Sequence, residues 1–267
     1  MLRNVYAKSL RDMRRSIVWW SLGLIAMTAL MIAVYPTVRD NPDLNKLVEN
    51  YPDALKAFIA FGGELDYTSG AGYLGSELFA FMVPLLLAVA AIGAGARATA
   101  GEEEAGTIDL LLANPVSRRR LIVEKTAALA TEVALLALVL WISLLVGVEI
   151  VGMEVSVANL AAATFAAALL AFSFGAIAVL AGSISGRRSV AIGVPAAVGV
   201  AAYLVSSLGS LVGSLEFARK ASPYYHYVAS DPLRHGLDLV HVGFLLGIGI
   251  IAIALAVLAF ERRDLAT

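Results

Sequence analysis

Six apolar runs, each long enough to cross a lipid bilayer as a helix, constrain this chain more than any other feature of its sequence. They lie at roughly 17–35, 73–96, 127–148, 157–180, 190–213 and 239–260. A hydrocarbon core about 30 Å thick takes about 20 residues of helix. Every backbone donor and acceptor must be satisfied within that layer, which leaves only helices and closed barrels. A barrel needs segments of about ten residues that alternate apolar and polar, and these runs are apolar throughout. The expected fold is therefore all-α, one polytopic membrane domain spanning residues 1–267, with no room for a second folded domain. Composition agrees, with 60% hydrophobic and 15% charged residues, against roughly 45–50% and ~25% in soluble domains.

Charge placement sets the expected orientation. With the N-terminus inside, fourteen of the twenty lysines and arginines fall on cytoplasmic segments, the bias that orients multi-pass proteins. Both termini are then cytoplasmic. The basic start before the first run resembles a secretory signal, but the run is too long for one and is not followed by a small-residue cleavage site. Residues 1–16 place Leu2, Val5 and Leu10 among basic residues, the pattern of an interfacial helix, or simply of positive flanking charge. On the outer side, segments 36–72 and 214–238 are loops. The stretch from 41 to 63 carries Leu44, Leu47 and Val48, then Leu55, Phe58 and Ile59, at spacings that predict two short amphipathic helices. A connecting loop and a lid over an exit path are both open readings there.

Residues 101–125 form the one strongly hydrophilic interruption between two long runs. Glu102, Glu103 and Glu104 precede Gly106 and Thr107, and Ile108, Leu111 and Leu112 make one apolar stripe on a short helix that Thr107 can cap. Asn114-Pro115 stops that helix, and Ser117 can cap the next, which continues as the third span. Arg118, Arg119 and Arg120 then sit in a first turn, where cations oppose the helix dipole by roughly 0.3–1 kcal/mol each. Local helix energetics do not explain them, so topology signalling, anionic lipid or a soluble partner must. A helix with one apolar face held between charged flanks suits a partner's groove.

The run from Gly101 through Pro115-Val116-Ser117-Arg118 resembles the loop between the second and third spans of type 2 ATP-binding-cassette (ABC) permeases. Gly72-Tyr73-Leu74, Ser222-Pro223-Tyr224-Tyr225, Asp231-Pro232-Leu233 and the closing Phe260-Glu261-Arg262-Arg263-Asp264-Leu265 are similar to that family as well. The resemblance implies a six-span exporter half with an interfacial N-terminal elbow helix, short helices between spans 5 and 6, and a coupling helix in the 101–125 loop. It makes Glu102, Glu103, Glu104, Gly106, Thr107, Ile108, Asp109, Leu111, Leu112, Pro115 and Arg118 candidate contacts with a separate ATPase subunit. It also implies a second permease copy, identical or not, and a prokaryotic cell membrane as the location.

The chain contains no Gly-Lys dipeptide, so it lacks the phosphate-cradling loop that nucleotide hydrolysis needs. ATP and Mg would be held by the partner subunit, and no cofactor or nucleic acid is expected on this chain. Two other classes compete. A gradient-driven secondary transporter would show matching halves with broken helices, and no two halves here match. An intramembrane hydrolase would draw on Ser206, Ser207, Asp238 and the histidines, but G-x-S-x-G and H-E-x-x-H are absent.

Ionisable residues within spans point to a pathway by default. Glu77 and Glu132 lie near span ends, so reach to water is the expected reading and a place on the route the alternative. Pro84 is expected to kink the second span. His226, His235 and His241 lack the spacing of a helical metal pair, and the tyrosines around them fit an interfacial belt. No metal site is expected. Gly209-x-x-x-Gly213 and Gly243-x-x-x-Gly247 allow close helix approach and are read as internal packing sites. A wall of Ala, Val, Leu and Gly suits an apolar or amphipathic cargo, drug-like or lipid.

Overall fold

Five of the six apolar runs fold as helices longer than the runs themselves, whereas the run expected over 190–213 is described as a helix only over Arg188–Leu208. The computed structural model describes residues 4–41, 43, 45, 50–52, 55–56, 66–107, 116–209 and 215–263. The long helices are α1 (Val5–Arg39), α2 (Gly70–Glu104), α3 (Arg118–Val151), α4 (Val157–Ser185) and α5 (Arg188–Leu208). Three short helices follow, α6 (Glu216–Ala221), α7 (Pro223–Val228) and α8 (Pro232–His235). The chain then makes its last pass as α9 (Leu239–Arg262). Among the described residues, six helices are long and apolar enough to cross a membrane.

The starts are set by side-chain caps, each satisfying a backbone donor that the first turn leaves open. Asn4 accepts from Ala7 N–H, Ser117 from Arg120, Ser156 from Asn159, Ser222 from Tyr224 and Asp238 from Val240. The expected cap at Ser117 is observed.

The N-terminal segment departs from expectation. Among the described residues no break separates an elbow from the first span; Val5 to Arg39 is one helix. Its first turns are fixed to neighbouring helices. Tyr6 N–H donates to Glu124 on α3 at 3.0 Å, and Tyr6 Oη lies 3.0 Å from Thr131 Oγ1. With no glycine or proline between Val5 and Trp20 to break the ladder, the helix runs on into the span.

α2 and α4 form the buried centre, and α4 touches α2, α3, α5 and α9. Small residues let them approach. A Cβ added to Gly95 of α2 would lie 2.3 Å from the Gly175 carbonyl of α4, and one on Gly182 would lie 2.2 Å from Thr99 Oγ1. Ser173 on α4 donates to the Leu245 carbonyl of α9 at 2.9 Å, the kind of interhelical bond that stands in for a hydrophobic driving force within lipid. Gly243 and Gly247, expected to pack internally, face open space instead. Among the described residues, no atom of another helix lies within 4 Å of a Cβ built at either. Gly209 does pack internally, since a Cβ there would meet Arg219 Cβ at 3.0 Å. Gly213 and most of the 41–63 stretch lie outside the described residues.

α2 is not a uniform helix. Its residues Leu74–Met82 and Arg97–Gly101 are π-helical, and Pro84 stands just after the first of these turns. Proline has no N–H to give, which frees the carbonyl four residues earlier. That carbonyl belongs to Ala80, and its use defines one end of the molecule.

Candidate functional site: an ionic knot and a tyrosine latch

At the end of the bundle that carries both termini, three consecutive glutamates close α2, and each holds a different helix. Glu102 Oε1 accepts from Lys125 Nζ of α3 at 2.8 Å and from Lys8 Nζ of α1 at 3.3 Å. Glu103 pairs with Arg263, just past α9. Arg263 also donates to the Ser183 carbonyl at 3.1 Å, and so reaches the end of α4. Glu104 Oε1 accepts the Arg188 backbone N–H at 2.8 Å, capping α5, whose own N-cap residue Arg187 supplies no side-chain bond. One turn of α2 is thereby tied to the five other long helices.

Three side chains one after another point about 100° apart around a helix axis, so a Glu-Glu-Glu turn reaches out on three sides. The ion pairs are shielded, with the Lys125 side chain 4% exposed and that of Glu102 15%. Shielded pairs lose less to solvent than surface ones, and either partner left alone is costly.

The turn that follows is closed as tightly. Gly106 has φ +64, a left-handed conformation that favours glycine. Gly106 N–H reaches the Glu103 carbonyl at 3.0 Å and Thr107 N–H the Glu102 carbonyl at 2.9 Å, the pairing that ends a helix on a left-handed residue. The Thr107 hydroxyl turns back to the Glu102 carboxylate. It therefore closes α2; the helix that Thr107 is expected to cap lies outside the described residues. Ile108, Asp109, Leu111, Leu112 and Pro115 lie outside the described residues.

Arg118 resolves a conflict left by the sequence. Its guanidinium donates to the Phe260 carbonyl at 3.2 Å and to the Arg263 carbonyl, and it lies over the Phe260 ring. The cation that opposes the dipole of α3 thus serves the carbonyl end of α9, where positive charge is favoured. Arg120 pairs with Glu124 at 2.6 Å, and Arg119 is exposed. A cleft of about 300 Å³ opens beside the knot, lined by Asp12, Arg97, Glu102, Thr107, Lys125 and Arg188.

Glu132 sits deeper than its position near a span end implied. It is 0% exposed; Ser16 Oγ donates to Oε1 at 3.2 Å, and Oε2 is buried without a hydrogen-bond partner among the described residues. Continuation of α1 toward the N-terminus covers it. Glu77 is partly buried within the π-helical turn of α2. The two carboxylates are not brought together.

The opposite end is held differently. Tyr224 Oη of α7 donates to the Ala80 carbonyl that Pro84 leaves free, and Tyr227 Oη donates to the Phe79 carbonyl at 2.7 Å. Both tyrosines are buried, so α7 is latched onto α2 by two hydroxyls. Asp66, in the turn before α2, accepts from Thr68 Oγ1 at 2.7 Å and from Asn45 Nδ2 at 3.1 Å. Chiefly through the Thr68 hydroxyl, these bonds hold its carboxyl down at about 2.

Sequence spacing missed one pair here. His226 Nδ1 and His241 Nδ1 are 2.8 Å apart, while His226 Nε2 is 2.8 Å from the Lys220 carbonyl. A carbonyl can only accept, so Nε2 of His226 carries the hydrogen, and its Nδ1 accepts from His241. Burial pushes the His226 imidazole below the ordinary histidine range. His235 lines a separate cavity. Among the described residues, no three His, Cys, Asp or Glu side chains gather as a metal set.

Six long apolar helices, two of them forming a buried central pair, with charge gathered at one end, define a multi-pass α-helical membrane protein. The sequence pattern of the ABC-2 family transporter proteins matches residues 3–265, and the chain belongs to that family. It is accordingly an ABC-type permease subunit. No curated protein matches the sequence significantly.

Proposed function

We propose that this chain is the membrane-spanning half of an ATP-driven exporter, with the end that carries both termini in the cytoplasm and a separate ATPase subunit docked on the 107–118 loop. One observation carries the reading. The residues immediately before that loop, Glu102, Glu103 and Glu104, hold α1 and α3, the α4/α9 ends, and α5 respectively. A displacement of the loop by a partner pulls on the last turn of α2, and the knot distributes that pull over the bundle.

The glutamates are engaged within the chain, so they act as transmission residues. Contact with the ATPase then falls to Ile108, Asp109, Leu111 and Leu112, whose apolar stripe suits a groove. ATP and Mg reside on the partner, the cargo is apolar or amphipathic, and a second permease copy completes the translocation path in a prokaryotic cell membrane. Deletion of Thr107 to Ala113 tests the reading. The variant should insert normally yet fail to bind the ATPase subunit and to transport; undiminished transport would refute it.

A further inference from the structure

At the end opposite the knot, a cavity of about 580 Å³ lies between the first turns of α2, the start of α4 and the short helices α7 and α8. That volume is ordinary for a small-molecule site, roughly 300–1,000 Å³. Its walls divide by chemistry. Phe79, Ala163, Val228 and Leu233 make an apolar side, and Arg219 and Arg234 bring two guanidiniums to the same space.

Only one carboxylate among the lining residues opposes them. Asp231 stands 3.6 Å from Arg234, at the long end of ion-pair contact. Arg219 lies over the Tyr225 ring at 5.0 Å, and its Nε is buried without a hydrogen-bond partner among the described residues. A guanidinium nitrogen withdrawn from water and left unbonded costs free energy that an incoming acceptor would recover.

The rim is held firm. Asn159 Nδ2 donates to the Leu233 and Arg234 carbonyls at 3.1 and 3.0 Å, which fixes α8 to α4. Asp231 has φ 39, the one positive φ outside glycine among the described residues, and strain of that kind persists only where the surroundings enforce it.

We propose that this cavity binds an anionic amphiphile, its phosphate or carboxylate head on Arg219 and Arg234 and its apolar part against Phe79, Val228 and Leu233. Guanidinium forks match such heads in geometry as well as charge. Use of the cavity as the outward station of transport rests on the exporter reading above; the binding itself does not.

The test uses the purified full chain in a neutral detergent, with displacement of a fluorescent long-chain fatty acid as readout. Dodecyl phosphate should displace the probe at a concentration at least tenfold lower than dodecyltrimethylammonium. Arg219→Gln together with Arg234→Gln should abolish that preference, while Arg39→Gln, on the same end but outside the cavity, retains it. Arg219→Gln alone, which leaves the Asp231–Arg234 pair intact, serves if the double variant fails to fold. Native mass spectrometry supplies the second arm. Phosphatidylglycerol retained over phosphatidylcholine by the wild type but not by the Arg219 variant supports a lipid headgroup as ligand. Unselective lipid retention with an intact dodecyl phosphate preference supports a free amphiphile. Equal affinity for anionic and cationic probes, an unchanged preference in the Arg219 variant, or inorganic phosphate competing as well as dodecyl phosphate would overturn the proposal. No ATPase enters the assay, so its failure leaves the exporter reading standing.

Discussion

The two ends of this permease are fastened by different chemistry. At the termini end, carboxylates meet ammonium and guanidinium groups in a shielded knot around Glu102, Glu103 and Glu104. At the other, Tyr224 and Tyr227 hydroxyls meet carbonyls that a proline and a π-helical turn leave accessible. Separating buried opposite charges strands both partners and costs several kcal/mol, whereas a neutral hydroxyl leaving a carbonyl costs roughly 1 kcal/mol net. The knot is therefore suited to move as a unit and transmit force, and the latch to part and re-form. On the exporter reading proposed above, the rigid end receives work and the yielding end releases cargo.

The largest expected effect comes from breaking the knot. Lys125→Met should lower stability by about 3 kcal/mol, because it leaves Glu102 shielded with only the more exposed Lys8 beside it; a thermal melt in detergent measures this. Parting the latch should cost less. Tyr224→Phe with Tyr227→Phe is expected to remove about 2 kcal/mol in the same melt and to speed hydrogen exchange in α7 while leaving the α2–α3 turn unchanged. Equal losses from the two changes would erase the distinction between the ends. Smaller again is Glu104→Ala, which uncaps α5 at about 1 kcal/mol and should raise exchange at Arg188 and Ser189.

The smallest effect is a pH dependence confined to the latch end. A folded-state pKa below the unfolded value near 6.5 means that the unfolded chain binds the proton more readily. Stability from His226 is then complete above about pH 6.5 and declines as pH falls toward its lower folded value. His226→Gln should flatten that decline, measured by melts between pH 7.5 and 5.

The six spans and their order were legible in the sequence because lipid leaves a chain few alternatives. So was the Ser117 start of α3, since a serine after Asn-Pro and before a basic turn is a local signal. The knot was legible only as a charged turn. What Glu103 holds is 160 residues away and what Lys8 holds is 94 away, and no local pattern encodes such distances. Arg118 looked misplaced because its own helix was the only one in view; the Phe260 carbonyl it serves lies 142 residues later. Pro84 was visible as a helix breaker, yet the carbonyl it frees acquires meaning only once α7 folds over it. Glu132 was misjudged for the same reason, as depth within a span depends on what an adjacent helix covers.

The chain has no cysteine, so a pair of spin labels can be placed without background. The most direct test of the knot as transmission follows the distance between labels on Ile150→Cys and Leu237→Cys, both exposed at the latch end, with the ATPase subunit bound and ATP added. In the otherwise unaltered chain, ATP should shift that distance. With Glu102→Gln, Glu103→Gln and Glu104→Gln together, the ATPase should still bind and hydrolyse ATP while the distance stays at its resting value. An ATP-driven shift of unchanged size in the triple variant would contradict the account.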